Sequence, residues 1–163
     1  MRAFWTTAAA ILAALLVQTA LGRLLPMQAR VFDPFLLVVV YCGLTRGETH
    51  GMLAGAAAGW VQDVHFGGRI VGLSGLSKVL VGFGVGVGST RFHLGEPAAR
   101  LLVLMVATIV DAVLFGQLAQ VFDVQAYELS PLGLIARAVV NGAVGMVVFE
   151  TVDRQRRRWA ARR

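Results

Sequence analysis

The sequence has few charged residues and a single cysteine. Charged residues make up 15% of the chain, whereas hydrophobic residues make up 57% and the mean hydropathy is +0.72. Ordinary soluble domains carry about 25% charged residues, so this composition excludes that class and indicates an integral membrane protein. The lone Cys42 excludes an internal disulfide, and no Cys-x-x-Cys or Cys/His spacing suggests a structural metal or a redox pair.

Catalytic and nucleotide-binding motifs are also missing. The glycine run at 82–88 lacks both the G-x-G-x-x-G spacing and the Gly-Lys-Ser/Thr of a phosphate loop. Ser74 precedes Lys78 by four residues, which is the wrong spacing for a Ser-x-x-Lys nucleophile and base. The histidines are predicted on both sides of the membrane and cannot share one metal: His50 and His93 inside, His65 outside. We therefore expect no enzyme activity, no catalytic residue, no cofactor and no metal ion.

Apolar runs near the length that crosses a bilayer predict six transmembrane helices. They cover 4–21, 35–44, 51–64, 70–87, 98–122 and 131–152. The first run could instead be a signal peptide, but its length favours a spanning helix. The second to fourth runs are short or interrupted by glycine, which is typical of tightly packed or partly re-entrant helices. The predicted organisation is a six-helix membrane domain over 1–153 and a basic cytoplasmic tail over 154–163.

The arginines predict the orientation of the chain. With an even number of spans, the cytoplasmic side collects Arg2, Arg46, Arg91, Arg100 and the six arginines of the tail RQRRRWAARR. The opposite side collects only Arg23, Arg30 and Arg69. Because cytoplasmic segments carry an excess of basic residues, both termini are predicted to be cytoplasmic. The tail is expected to meet anionic lipid headgroups rather than nucleic acid, for which the sequence offers no reading element.

Three charged side chains lie deep inside the predicted spans: Lys78, Asp111 and Arg137. Each charge costs a few kcal/mol at a helix centre unless it is paired or hydrated. Lys78 and Asp111 lie at similar depth, so they either form a buried ion pair or act separately, with Lys78 reaching a wet crevice. Arg137 and Asn141 share a helix face nearer the outer boundary, and the Arg137 side chain is expected to extend toward that boundary.

Glycine recurs at every fourth residue through the second and third predicted helices. The positions are Gly43, Gly47, Gly51, Gly55 and Gly59. Those within one helix form a face without side chains, where a neighbouring backbone can approach closely. This face is expected to pack within the molecule, and the alternative is a dimer face.

Residues 33–83, DPFLLVVVYCGLTRGETHGMLAGAAAGWVQDVHFGGRIVGLSGLSKVLVGF, resemble the MreD family of rod shape-determining membrane proteins. The shared features are the Asp-Pro start of helix two, Arg46-Gly47, the G-x-x-x-G approach to Gln62-Asp63, Gly72-x-x-Gly75-Leu76, and the lysine and glycine of KVLVGF. Aspartate precedes Pro34 here, whereas many members have proline before aspartate.

This resemblance implies a non-catalytic scaffold with a six-helix fold similar to the substrate-binding subunits of energy-coupling-factor transporters. Its implied partner is MreC, with indirect links to RodA, a penicillin-binding transpeptidase and MreB. The implied location of the chain itself is the plasma membrane of a bacterium. Asp63 and Lys78 are then structural, and Asp63 is expected to bind backbone amides in the segment HFGGR. In the alternative, these residues line a pocket and the chain is a small-ligand-binding transporter subunit. The outer loops offer few aromatic residues for such a pocket, which favours the scaffold.

Overall fold

The computed structural model describes residues 2–25, 27, 31–66, 70–91, 96–123 and 130–160. Within these ranges there is no strand, and six helices are present. They are α1 (Arg2–Leu24), α2 (Pro34–Arg46), α3 (Glu48–His65), α4 (Leu73–Arg91), α5 (Pro97–Val121) and α6 (Pro131–Ala160). The predicted all-helical class and helix number are confirmed. Arg30, Arg69, His93, Arg162 and Arg163, used in the topology argument, lie outside the described residues.

The helices differ in their capacity to cross a membrane. Four are long and apolar enough to do so by length and composition: α1, α4, α5 and α6. Helix α2 is apolar but has only 13 residues, which reach about 20 Å against about 30 Å of hydrocarbon. A helix this short cannot cross the bilayer alone, so other parts of the protein must surround its ends and bind their free backbone groups.

Helix α2 is the centre of the fold, because it contacts each of the other five helices. Leu36, Leu37 and Val40 pack in one apolar cluster with α4, α5 and α6. Phe35 and Val39, on another face of α2, pack with α1 and α3 in a second cluster. A helix buried on all sides needs an apolar sequence all round, and PFLLVVVYCGL supplies one.

Glycine sets the packing of α3 against α4. A Cβ atom added at Gly51 would meet the backbone of Gly82, one at Gly55 would meet the backbone of Lys78, and one at Gly59 would meet that of Gly75. The two backbones therefore touch along the length of both helices, which only residues without side chains allow. The face predicted from the four-residue repeat is buried inside the molecule, and Gly51, Gly55 and Gly59 are not a free dimer face.

Two further glycines determine where helices end. Gly47 has φ +85° and separates α2 from α3, so the chain reverses at one residue that favours glycine. Gly72 has φ +105°, and α4 starts after it at Leu73 rather than at the predicted residue 70. At the other end of the chain α6 continues to Ala160, so the first residues of the predicted tail extend that helix.

Candidate functional site

The polar centre of the bundle is built around Lys78, the only lysine of the chain. Its side chain projects from α4 and is 3% exposed. Lys78 Nζ donates to Asp33 Oδ2 at 2.9 Å and to Asp111 Oδ2 at 3.3 Å. The structure thus places Asp111 beside Lys78, as the pairing hypothesis required, and adds a second and nearer carboxylate. We refer to Asp33, Lys78, Asp111 and Arg137 as the ion cluster.

Asp33 holds the first turn of α2. It precedes Pro34, which occupies the first helical position, and its Oδ1 accepts a hydrogen bond from the Leu36 N–H at 3.0 Å. Proline fits this position because the missing N–H would have no helical partner there. The second oxygen of the same carboxylate faces Lys78. One side chain therefore caps a helix and neutralises a buried cation.

Asn141 of α6 completes the backbone bonds at the start of α2. Its Oδ1 accepts from the Asp33 N–H at 2.9 Å, and its Nδ2 donates to the Val31 carbonyl at 3.4 Å. Asn141 lies ten residues after Pro131, about 15 Å along α6. Irregular backbone is tolerated at such depth only where other protein groups form hydrogen bonds with its N–H and C=O groups. The amide of Asn141 thus allows α2 to begin inside the bundle.

Asp111 is held by two neighbouring residues of α4. Ser77 Oγ donates to Asp111 Oδ1 at 2.5 Å, and Lys78 Nζ lies 3.3 Å from Asp111 Oδ2. Ser77 is fully buried, and Asp111 is 4% exposed. This contact joins α4 to α5 at the depth where Lys78 also joins α4 to α2.

Arg137 departs from its expected position. Its side chain turns inward, with Nη2 3.8 Å from Asp33 Oδ2, and only 20% of it is exposed. Arg137 lies on the same helix face as Asn141, and Asp33 lies within reach of that face. The attraction between the Arg137 guanidinium and the buried Asp33 carboxylate therefore outweighs solvation of the guanidinium at the outer boundary. The ion cluster therefore contains two carboxylates and two cations, and its formal charges balance.

The balance explains why the ion cluster is tolerated in an apolar bundle. A lone charge costs about 2.5–3.5 kcal/mol at a helix centre. Removing one member of a buried pair costs about 3–5 kcal/mol because the partner is left uncompensated. The four charges belong to the start of α2 and to α4, α5 and α6, so the complete ion cluster forms only when these four helices are in place.

Asp63 performs a separate task at the end of α3. Its carboxylate accepts from the Gly72 N–H at 2.7 Å and from the Ser74 N–H at 3.1 Å, and so caps the start of α4. Of the predicted partners in HFGGR, the Phe66 N–H donates to the Gln62 carbonyl, and Gly67, Gly68 and Arg69 lie outside the described residues. Asp63 is 5% exposed, so it is a buried cap rather than a carboxylate near water.

A second polar network ties the other ends of the helices. Tyr41 Oη donates to Asp153 Oδ1 at 2.9 Å, and Arg100 Nη1 lies 2.6 Å from Asp153 Oδ2. These contacts join α2 and α5 to α6. Glu150 and Arg154 form a further ion pair at 2.7 Å on the exposed surface of α6, where such pairs contribute little to stability.

Sequence reasoning missed Asp33 and Ser77 as members of the site. Asp33 was noted only as part of the family pattern, although Asp followed by Pro before an apolar run is itself a helix-start signal. Helix α2 is also too short to span the membrane. Together, these two features indicate that the first turn of α2 and its capping aspartate are buried inside the bundle. No sequence pattern marks Ser77, because a serine in a glycine-rich helix looks like any other small residue.

These features define a multi-pass helical membrane protein whose buried charges bind one another. The chain belongs to the MreD family of rod shape-determining proteins, whose sequence model matches residues 3–149. The family resemblance predicted from residues 33–83 is thereby confirmed and extends over most of the chain. No curated protein and no solved structure shows significant similarity to this chain.

Replacing Lys78 by methionine tests the ion cluster. Lys78→Met removes the cation that Asp33 and Asp111 share, so two buried carboxylates repel each other. The free energy of unfolding should fall by about 3–5 kcal/mol. The double variant K78M/D111N should recover more than half of this loss, because Arg137 still compensates Asp33. Thermal unfolding of the purified protein in detergent measures both effects.

The matched control is Arg154→Met, which removes an exposed cation and should change stability by no more than about 1 kcal/mol. A K78M variant as stable as R154M, or a K78M/D111N variant no more stable than K78M, would contradict the assignment.

Proposed function

We propose that this protein is a non-catalytic scaffold of the rod complex that binds MreC and so helps to position peptidoglycan synthesis. The observation that carries the proposal is membership of the rod shape-determining family. RodA, its penicillin-binding transpeptidase and MreB would then be indirect partners. The inward-facing polar groups support a structural role, because Lys78, Asp111 and Asn141 are each used in contacts between helices.

A ligand-binding transporter subunit has less support. Such a subunit needs polar side chains free to meet a ligand, whereas Lys78 is bonded to Asp33 and Asp111 at the centre of the described bundle. The similarity to the fold of energy-coupling-factor subunits stays a prediction.

A groove between α1 and α3 offers a surface for the helix of MreC. It has a volume of about 720 Å³, and its α3 wall includes the small residues Ala54, Ala56 and Ala57. Small residues let a second helix approach closely in a membrane. Large apolar side chains stand along the rim, among them Phe4 and Trp60, which are 70% and 58% exposed.

Filling this groove should weaken the complex. We expect Ala57→Trp to reduce the amount of MreC recovered with the protein from mild detergent, because the new ring occupies the space of the incoming helix. Ala143→Trp is the matched control, since Ala143 is also exposed but lies on α6, and it should leave recovery unchanged. Recovery of an ABC-type ATPase module instead of MreC would overturn the scaffold assignment. Equal recovery with both variants would remove the groove as the docking site.

The proposed location is the plasma membrane of a bacterium, with both termini in the cytoplasm. Arginine is in excess on the side of the membrane that holds both termini, which supports this orientation. Alkaline phosphatase, which is active only outside the cytoplasm, should therefore be inactive when fused after Arg163. An active fusion would contradict the orientation.

A further inference from the structure

Helix α4 presents glycine on two different faces. Gly82 and Gly86 pack against the backbone of α3, as a Cβ atom at either position would meet it directly. Gly84 and Gly88 are different, because a Cβ atom added there would meet no atom within 4 Å. These two glycines form the floor of a second apolar groove, between α4 and α5.

We call this depression the α4–α5 groove. Its volume is about 410 Å³, and its walls are aliphatic, including Leu80 on α4 and Val106 and Val110 on α5. Helices α4 and α5 also contact each other directly. The volume of this depression is little more than half that of the groove between α1 and α3. It suits a single hydrocarbon chain better than a transmembrane helix with a diameter of 10–12 Å.

An arginine lies at one end of the α4–α5 groove. Arg91 follows Gly88 by three residues and Gly84 by seven, so it lies on the same helix face one turn beyond the groove. The arginine is exposed and closes α4. The wall of the groove that belongs to α5 also begins at this end, where α5 starts at Pro97.

The start of α5 adds a second attraction for anions. Glu96 occupies the cap position but makes no side-chain hydrogen bond to the helix. The first-turn N–H groups lack intrahelical partners, and the helix dipole places partial positive charge there. Glu96 carries a negative charge at this end, opposite to that of Arg91.

We propose that the α4–α5 groove binds one anionic phospholipid. An acyl chain lies over Gly84 and Gly88, and the headgroup phosphate meets Arg91 and the first turn of α5. Charge complementarity identifies the ligand, because the apolar groove opens at the end that carries Arg91 and the first-turn N–H groups of α5. The arginine distribution assigns this end to the cytoplasmic leaflet, where anionic lipids are concentrated. The lipid site is independent of the scaffold function and of the groove between α1 and α3.

Native mass spectrometry of the full-length protein in detergent tests this proposal. The probes are phosphatidylglycerol and phosphatidylcholine with identical acyl chains. The unmodified protein should retain one phosphatidylglycerol with about a fivefold preference over phosphatidylcholine, the effect expected for one arginine at the membrane surface. Arg91→Gln should abolish the preference, and G84L/G88L should reduce the retention of both lipids.

Two controls separate the site from general effects. Arg23→Gln removes an exposed arginine that is predicted on the opposite side of the membrane, and Gly116→Leu fills open space on α5 outside the groove; both should bind lipid like the unmodified protein. Equal retention of the two lipids, or an unchanged preference in R91Q, would overturn the proposal. A G84L/G88L variant that retains phosphatidylglycerol as well as the unmodified protein does would also overturn it. Because R91Q leaves the groove intact, its result decides even if the double-leucine variant does not fold.

Discussion

The contact between Lys78 and Asp33 is the interaction on which the rest of the structure depends. A lysine inside an apolar bundle is stable only with a buried carboxylate, and here that carboxylate also caps the shortest helix. Helix α2 can therefore begin inside the bundle and contact all five of its neighbours. Asn141 supplies the remaining hydrogen bonds to the backbone of Val31 and Asp33.

This arrangement separates the interior of the protein from its surface. Charges and backbone groups at depth are satisfied inside, and the backbones of α3 and α4 are fixed by glycine contacts. The apolar surface, with its two grooves, is then free to meet lipid or another transmembrane helix.

The sequence predicted the features that follow from local patterns. Apolar runs gave the six helices, the four-residue glycine repeat gave the packing face of α3, and equal depth suggested that Lys78 meets Asp111. Long-range geometry was harder to predict. The inward turn of Arg137 depends on where Asp33 lies, and Asp33 lies at depth only because α2 is short and central. The capping of α4 by Asp63 likewise depends on how the chain returns from α3, which no local pattern specifies.

A double-mutant cycle between Asp33 and Lys78 tests the central claim most directly. The free energies of unfolding in detergent would be compared for D33N, K78M, D33N/K78M and the unmodified protein. If the contact supports the buried start of α2, the two substitutions should be strongly non-additive, with a coupling of about 1.5–3 kcal/mol. Additive effects within about 0.5 kcal/mol would contradict the account.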